Sequence, residues 1–183
     1  TGKAFWVFRN FWDVSFAAQL TPLDTHDYFE LRTYGKYLNY PLNFGFATEG
    51  STDSRKRLFV SYGGSFARSP DIENNYYSVS LGFRFRFSNK FNLGLNTSSA
   101  NEKNQLGYSF RREFNGDPIV GFRNNTGFTS VLSGIFNFNS RLNLTLRARH
   151  YWNKVIYKDF FDVDAKTGNS AYDTILNIFG EDY

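Results

Sequence analysis

The sequence predicts an all-β fold: an antiparallel transmembrane β-barrel with about eight strands visible, forming part of a larger barrel. Three observations predict it: strands with one apolar and one polar face, arginines on the polar face, and short corners that alternate with longer connections. Aromatic residues make up 20% of the 183 residues, whereas all hydrophobic residues together reach only 41%. A barrel with an apolar belt, aromatic girdles and a polar lumen needs this combination.

The clearest element is a hairpin from Tyr76 to Ser99. Odd-numbered positions from Tyr77 to Phe87 are apolar, and the even-numbered positions between them are Ser, Gly or Arg. After a tight corner at 88–90, the alternation resumes at 91–96. Because successive side chains of a strand point to opposite faces, the hairpin has one apolar and one polar face. The pattern suits a strand between lipid and a watery lumen, and it also suits a soluble β-sandwich.

The same alternation predicts further strands at 10–20, 42–51, 57–68, 128–138 and 142–152. Longer connections are expected at 21–41, 70–75, 101–125 and 155–170, and one more strand is expected to begin within 171–179. The third of these connections, 101–125, contains Asn115-Gly116-Asp117-Pro118, whose turn chemistry predicts a small hairpin. Tight corners at 53–55, 88–90 and 139–141 fall at the other end of the sheet. Short turns at one end and long loops at the other are typical of outer-membrane barrels.

Composition excludes several functional classes. The chain has no cysteine, which removes disulfide frameworks, thiolate metal sites and cysteine nucleophiles. No apolar run is long enough for a transmembrane helix. The net charge of +4 comes from scattered residues, so no nucleic-acid partner is expected. No motif predicts a cofactor or a metal. The absence of a leader before Thr1 predicts a processed product or an internal part of a longer protein.

Six charged residues are predicted to line the lumen, and four aromatic residues to lie at the membrane interface. The lumen candidates are Asp13, Glu49, Arg84, Arg86, Arg147 and Arg149. The interface candidates are Trp12, Tyr77, Tyr151 and Trp152. Two interpretations of the lumen residues stay open: a charged pore lining that selects solutes, or a filled lumen in which arginines and carboxylates pair.

Catalysis has little support in the sequence, and no catalytic residue is predicted. A lipase-like site would need a histidine, a serine such as Ser133 and an orienting group together, and His150 carries no such signature. His150 is better explained as an interfacial residue beside Tyr151, and His26 as a solvated loop residue. The acidic positions 159–169 match only fragments of a calcium loop, so a solvated acidic loop is the favoured interpretation.

Four segments resemble a large family of bacterial outer-membrane proteins: FRNFW at 8–12, STDSRK at 51–56, FNFNSRLNLTLRARHYW at 136–152, and IYKDFFDVDAKTGN at 156–169. In that family a domain similar to carbohydrate-binding modules of family 9 precedes a C-terminal β-barrel of unknown function. The resemblance implies that residues 1–183 form an internal part of such a barrel, with the upstream domain and the closing strands outside the chain.

The expected function is that of a non-enzymatic envelope component of the cell outer membrane, with glycan or nutrient handling as a further expectation. The lipid bilayer is the expected partner, together with other outer-membrane or periplasmic proteins. Two alternatives stay open: a solute-conducting, porin-like channel, and a soluble β-sandwich binding module.

Overall fold

The computed structural model describes residues 1–32, 34–111, 118–163 and 170–171. In these residues the chain forms strands β1 Gly2–Val7, β2 Asp13–Thr21, β3 Thr25–Asp27, β4 Leu38–Tyr40, β5 Asn43–Ser51, β6 Leu58–Ser69, β7 Asn74–Arg86, β8 Phe91–Arg111, β9 Pro118–Asn139, β10 Leu142–Val163 and β11 Ser170–Ala171. Nine of them form one sheet in the order β1-β2-β5-β6-β7-β8-β9-β10-β11, and β3 and β4 form a separate pair.

All pairs in both sheets are antiparallel, which confirms the predicted all-β antiparallel class. The sheet follows chain order except where β3 and β4 are inserted between β2 and β5. Within the described residues β1 pairs only with β2, and the sheet does not close on itself. Closure into a barrel therefore stays a prediction. No helix in this part of the chain is long and apolar enough to cross a membrane.

Several predicted loops are wrong, because strands continue through them. β8 extends to Arg111 and β9 begins at Pro118, so most of 101–125 is paired strand. β10 likewise continues to Val163. Asn115, Gly116 and Asp117, residues 164–169 and residues 172–179 lie outside the described residues. The polar composition of these segments shows no apolar alternation, so the sequence did not predict strands there. The strands form nevertheless, because the backbone groups are hydrogen-bonded to the neighbouring strand whatever the side chains are. β1 was also not predicted.

Cross-strand pairing defines two faces of the nine-stranded sheet. Phe16 lies opposite Thr48 in β5, and Phe83 lies opposite both Val60 in β6 and Leu95 in β8. Directly paired residues share a face. We call this side the apolar face; its large side chains are Trp6, Phe16, Phe44, Phe46, Phe66, Tyr77, Leu81, Phe83, Phe85, Leu95, Phe128, Leu132, Phe136, Leu144, Leu146 and Trp152. The opposite side is the polar face.

The apolar face is open. Phe46, Val79 and Leu144 remain 47%, 58% and 59% exposed, although each sits within a paired strand. Its rings contact their neighbours across strands, as Phe16 and Phe46 do at 6.0 Å between centroids. In the part of the chain that the structure describes, the only second sheet is the small β3–β4 pair, so no full layer covers this face.

The buried core lies where residues 22–42 pack on the extended ends of β8 and β9. Leu31 and Leu38 are fully buried against Leu106 and Val120. Tyr40 donates a hydrogen bond to the carbonyl of Leu106 over 3.3 Å. The predicted loop at 21–41 is therefore a packed segment with two short strands, at the end of the sheet opposite the short turns.

Candidate functional site

All six residues predicted to line a lumen lie on the polar face. Pairing places Asp13 opposite Ser51, and Glu49 opposite Ser15 and Gly63. The arginines occupy the same face of two other strands. Arg84 and Arg86 are on β7, and Arg147 and Arg149 are on β10.

The two carboxylates bond to hydroxyls rather than to arginines. The Ser51 hydroxyl donates a short hydrogen bond to Asp13, and the Ser15 hydroxyl donates to Glu49 over 3.3 Å. Both carboxylates therefore form a narrow acidic strip across β2 and β5. Among the described residues no ion pair joins this strip to Arg84 or Arg86.

Two of the four arginines are held by backbone and aromatic groups. Arg84 donates to the carbonyl of Ser54 over 2.7 Å, and its guanidinium lies 4.8 Å from the ring centre of Phe59. Arg149 lies 5.6 Å from the ring centre of Tyr151. These contacts fix the direction of the Arg84 and Arg149 side chains. Neither guanidinium is paired with a carboxylate in them, because the partners are a backbone carbonyl and aromatic rings. The polar face thus carries separated acidic and basic strips.

Small residues form the floor between the strips. Ser65 and Ser78 share a hydrogen bond of 2.7 Å. Gly63 makes room for the hydroxyl of Ser80, which would lie 2.7 Å from a Cβ added at Gly63. A shallow cavity of about 340 Å³ lies over this floor, bordered by Lys3, Ser15, Ala47, Glu49, Ser78 and Ser80. Because short side chains cannot reach across the face, the floor is open rather than packed.

A second polar network lies near the packed 22–42 segment and was not predicted. The amide of Gln105 donates to Glu102 over 2.7 Å, and Arg123 donates to Gln105 over 2.5 Å and to the hydroxyl of Tyr157 over 3.2 Å. Glu30 accepts the backbone N–H of Tyr108 over 3.0 Å. No short-range pattern could reveal this network, because its members come from four distant parts of the chain.

Burial raises the pKa of the Tyr40 hydroxyl well above its usual range, and the nearby carboxylates of Glu30 and Asp27 add to the effect. Asp27 itself caps the following turn by accepting the backbone N–H groups of Phe29 and Glu30. The segment is thus fixed on the sheet by a neutral, hydrogen-bonded tyrosine.

The STDSRK segment forms a tightly bonded turn between β5 and β6. Arg55 makes two side-chain bonds of 2.9 Å to the buried carboxylate of Asp53 and lies 3.6 Å from the ring centre of Phe11. The hydrogen bond from Arg55 lowers the pKa of Asp53 to about 2. Arg55 thereby joins this turn to the turn between β1 and β2, which accounts for the motif by structure alone.

The interface candidates divide between the two faces. Tyr77 and Trp152 lie on the apolar face, Tyr151 lies on the polar face, and Trp12 lies in the turn between β1 and β2. Trp12 is half exposed, and its carbonyl accepts the N–H of Phe8.

The two histidines lie in different sheets. His150 lies on the apolar face, 6.0 Å from the ring of Phe128. Ser133 is on the other face, so these two residues do not meet. His26 is exposed in β3 and contacts the ring of Tyr37 at 4.5 Å. Across the described ranges, no group of three or more His, Cys, Asp or Glu residues could hold a metal ion.

Comparison with known proteins gives a family and nothing closer. The sequence model of a family described as "Domain of unknown function (DUF5916)" matches residues 1–178. No curated protein and no solved structure matches the chain.

Proposed function

The chain belongs to the family of the domain of unknown function DUF5916, and we propose that it is an integral outer-membrane β-barrel protein with a non-enzymatic role in the cell envelope. In this proposal the apolar face contacts lipid and the polar face lines the lumen. The observation that carries it is the open apolar face: burying so large an apolar surface in lipid removes it from water. A soluble sandwich would need a second full sheet over the same face.

The dimensions of the apolar face suit a bilayer. Its apolar positions run from Tyr77 on β7 to Phe87, the residue that follows the end of this strand. At about 3.3 Å per residue and a tilt of roughly 40°, these positions span about 25 Å across the membrane. The apolar band of outer-membrane barrels has about this height.

The apolar face also ends abruptly towards the packed 22–42 segment. On β10 Trp152 is followed on the same face by Lys154, and on β8 Ser99 is followed by Asn101 and Lys103. An aromatic residue at the last apolar level and charges beyond it are typical of a membrane boundary. The ends of β8, β9 and β10 beyond this level would stand outside the membrane. A carbohydrate-binding-like domain upstream stays a prediction.

A single-cysteine scan of β7 in the full protein tests the proposal, since the chain has no native cysteine. Residues Ser78 to Phe83 are replaced one at a time, labelled with an environment-sensitive dye, and exposed to a lipid-phase quencher in vesicles. Quenching is expected at positions 79, 81 and 83, and little quenching at 78, 80 and 82. Equal quenching at all six positions, or a protein that stays monomeric and folded without detergent, contradicts the proposal.

A second candidate function, a solute-conducting channel, is supported by the separated charges of the polar face. If the sheet closes into a barrel, strips of opposite charge on its lumen face would produce a transverse field that sorts solutes by charge. Planar-bilayer recordings of the full protein test this candidate. Replacing Arg147 and Arg149 by serine is expected to shift selectivity towards cations, and the absence of any conductance counts against a channel.

A further inference from the structure

We propose that a groove on the polar face is a binding site for a neutral, polyhydroxylated ligand, a short saccharide. The proposal deepens the proposed function, because it assigns a ligand to the face proposed to line the lumen. The groove covers three cross-strand levels of β7 to β10, at the height where the apolar face of the same strands ends. Its lining residues are Tyr76, Ser98, Glu102, Asn125, Thr129, Tyr151 and Asn153.

The groove has a low floor and two aromatic walls. Ala100 and Gly127 are paired directly at its centre, and Gly127 has open space above it, because a Cβ built there would meet nothing closer than 3.5 Å. Tyr76 stands at one corner on β7 and Tyr151 at the diagonally opposite corner on β10. Flat rings bordering a floor of minimal side chains give a ligand two apolar surfaces against which the C–H faces of a sugar ring can pack.

One polar atom in the wall of the groove lacks a hydrogen-bond partner within the described part of the chain. The side-chain oxygen of Asn125 is buried and has no hydrogen-bond partner among the described residues. Buried polar atoms are almost always hydrogen-bonded, so an orphan acceptor in a cavity wall marks the position of a missing donor. A sugar hydroxyl is such a donor. The amide of Asn153 lies directly opposite Gly127, and the hydroxyl of Thr129 lies at the next level, opposite Tyr151.

Charge in and around the groove favours a neutral ligand. Glu102 is the one carboxylate of the lining, and its two oxygens already accept amide hydrogens from Asn74 and Gln105. Arg149 lies against Tyr151, towards the other end of the groove. A lone anion would meet Glu102, and a lone cation would meet Arg149, whereas hydroxyl groups can use the amides and hydroxyls of the lining without a charge penalty.

The size of the groove suits more than one sugar ring. The groove encloses about 230 Å³, and an adjoining cavity of about 290 Å³ shares Tyr76 and Glu102 with it. Together they fall within the range of about 300–1,000 Å³ that small-molecule sites occupy. The adjoining cavity leads to Tyr40 and Ile72, at the edge of the packed 22–42 segment.

Calorimetric titration of the full protein in detergent tests the site, with cellobiose and maltotriose as probes. Glucuronate and choline serve as anionic and cationic comparators. We expect saturable binding of at least one neutral sugar, and at least tenfold weaker binding of it by Gly127→Val, whose side chain fills the floor, and by Asn125→Leu, which removes the orphan acceptor. Gly134→Val is the matched control, because Gly134 lies on the same strand but on the apolar face, with the nearest atom 3.6 Å from an added Cβ.

Gly134→Val is expected to bind the sugar within twofold of the unaltered protein. The inference is overturned if neither sugar binds, if a charged comparator binds more tightly than both sugars, or if Gly127→Val and Gly134→Val bind equally. Vesicle flotation of the same preparations separates this result from the membrane proposal. Sugar binding without flotation would support the binding site and contradict the membrane proposal. Flotation without sugar binding would support the membrane proposal and contradict the binding site.

Discussion

Inserting an arginine at two depths of β7 distinguishes lipid from protein as the cover of the apolar face. The matched pair is Phe83→Arg and Tyr77→Arg. Both native side chains are single aromatic rings on the apolar face, and they are 41% and 45% exposed in the described sheet. Packing within the sheet therefore predicts nearly equal costs for the two substitutions.

A bilayer predicts unequal costs. If the apolar band runs from Tyr77 to Phe87, its centre lies beside Gly82. At about 3.3 Å per residue and a tilt of roughly 40°, Phe83 is about 3 Å from the midplane and Tyr77 about 13 Å from it. Arginine on the lipid face costs about 2–4 kcal/mol at the midplane and about 0–1 kcal/mol near the interface. We expect Phe83→Arg to lower the free energy of unfolding by about 2 kcal/mol more than Tyr77→Arg.

Urea titration of the protein folded in lipid vesicles, followed by tryptophan fluorescence, measures these free energies. Ser80→Arg is the control, because Ser80 borders the open cavity on the polar face, where a long side chain has room. It is expected to cost less than about 1 kcal/mol, as ordinary surface substitutions do. Equal costs for Phe83→Arg and Tyr77→Arg, or a larger cost for Tyr77→Arg, would refute the lipid-facing assignment.

Three further predictions concern the turn between β5 and β6, the packed segment, and two glycines within β5 and β6. Because its pKa is lowered to about 2 from 3.8, Asp53 stabilises the fold above pH 3.8, and this contribution is lost as the pH falls towards 2; Asp53→Asn should flatten that part of the stability–pH curve in urea titrations. The pKa of Tyr40 is raised from 10.0, so stability is full below pH 10.0 and falls as the pH rises above it. Tyr40→Phe should remove this loss of stability at alkaline pH. It should also lower the free energy of unfolding by about 1 kcal/mol, because the hydrogen bond of the hydroxyl is lost. Faster amide exchange in residues 22–42 would report this local destabilisation. Gly50→Ala should cost about 1–3 kcal/mol because an added Cβ would lie 2.5 Å from a backbone oxygen, whereas Gly64→Ala, with 3.8 Å of clearance, should not destabilise by thermal melting.

Period-two alternation located the central strands well. The hairpin from Tyr76 to Ser99 is present as β7 and the first part of β8, and all six charged candidates lie on the predicted polar face. Alternation succeeds there because one face is uniformly apolar, so a shift of one residue would reverse every side chain. Whether the carboxylates pair with the arginines could not be predicted, since it depends on how far apart the strands lie in the sheet; they bond to hydroxyls instead.

Alternation fails where both faces carry polar residues. Beyond Asn101 on β8 and Lys154 on β10 the side chains no longer distinguish the two faces, yet the strands continue through backbone pairing with β9. The packed 22–42 segment was missed for a related reason. Leu31 and Leu38 are buried by contacts with β8 and β9, far away in sequence, so no local window contains the cause of their burial.

The groove lies at the level of Asn101 and Lys154, where the apolar alternation ends. On the side of this level towards the short turns, the strands keep one apolar face, and the polar face carries small residues and separated charges. Above it neither face is constrained, so larger polar groups such as Glu102 and Arg123 form a network beside the groove. In the proposed barrel, a solute would meet this polar level before the narrow floor of serine and glycine. Selection would then take place at the groove, and the floor below would set only the size of what passes.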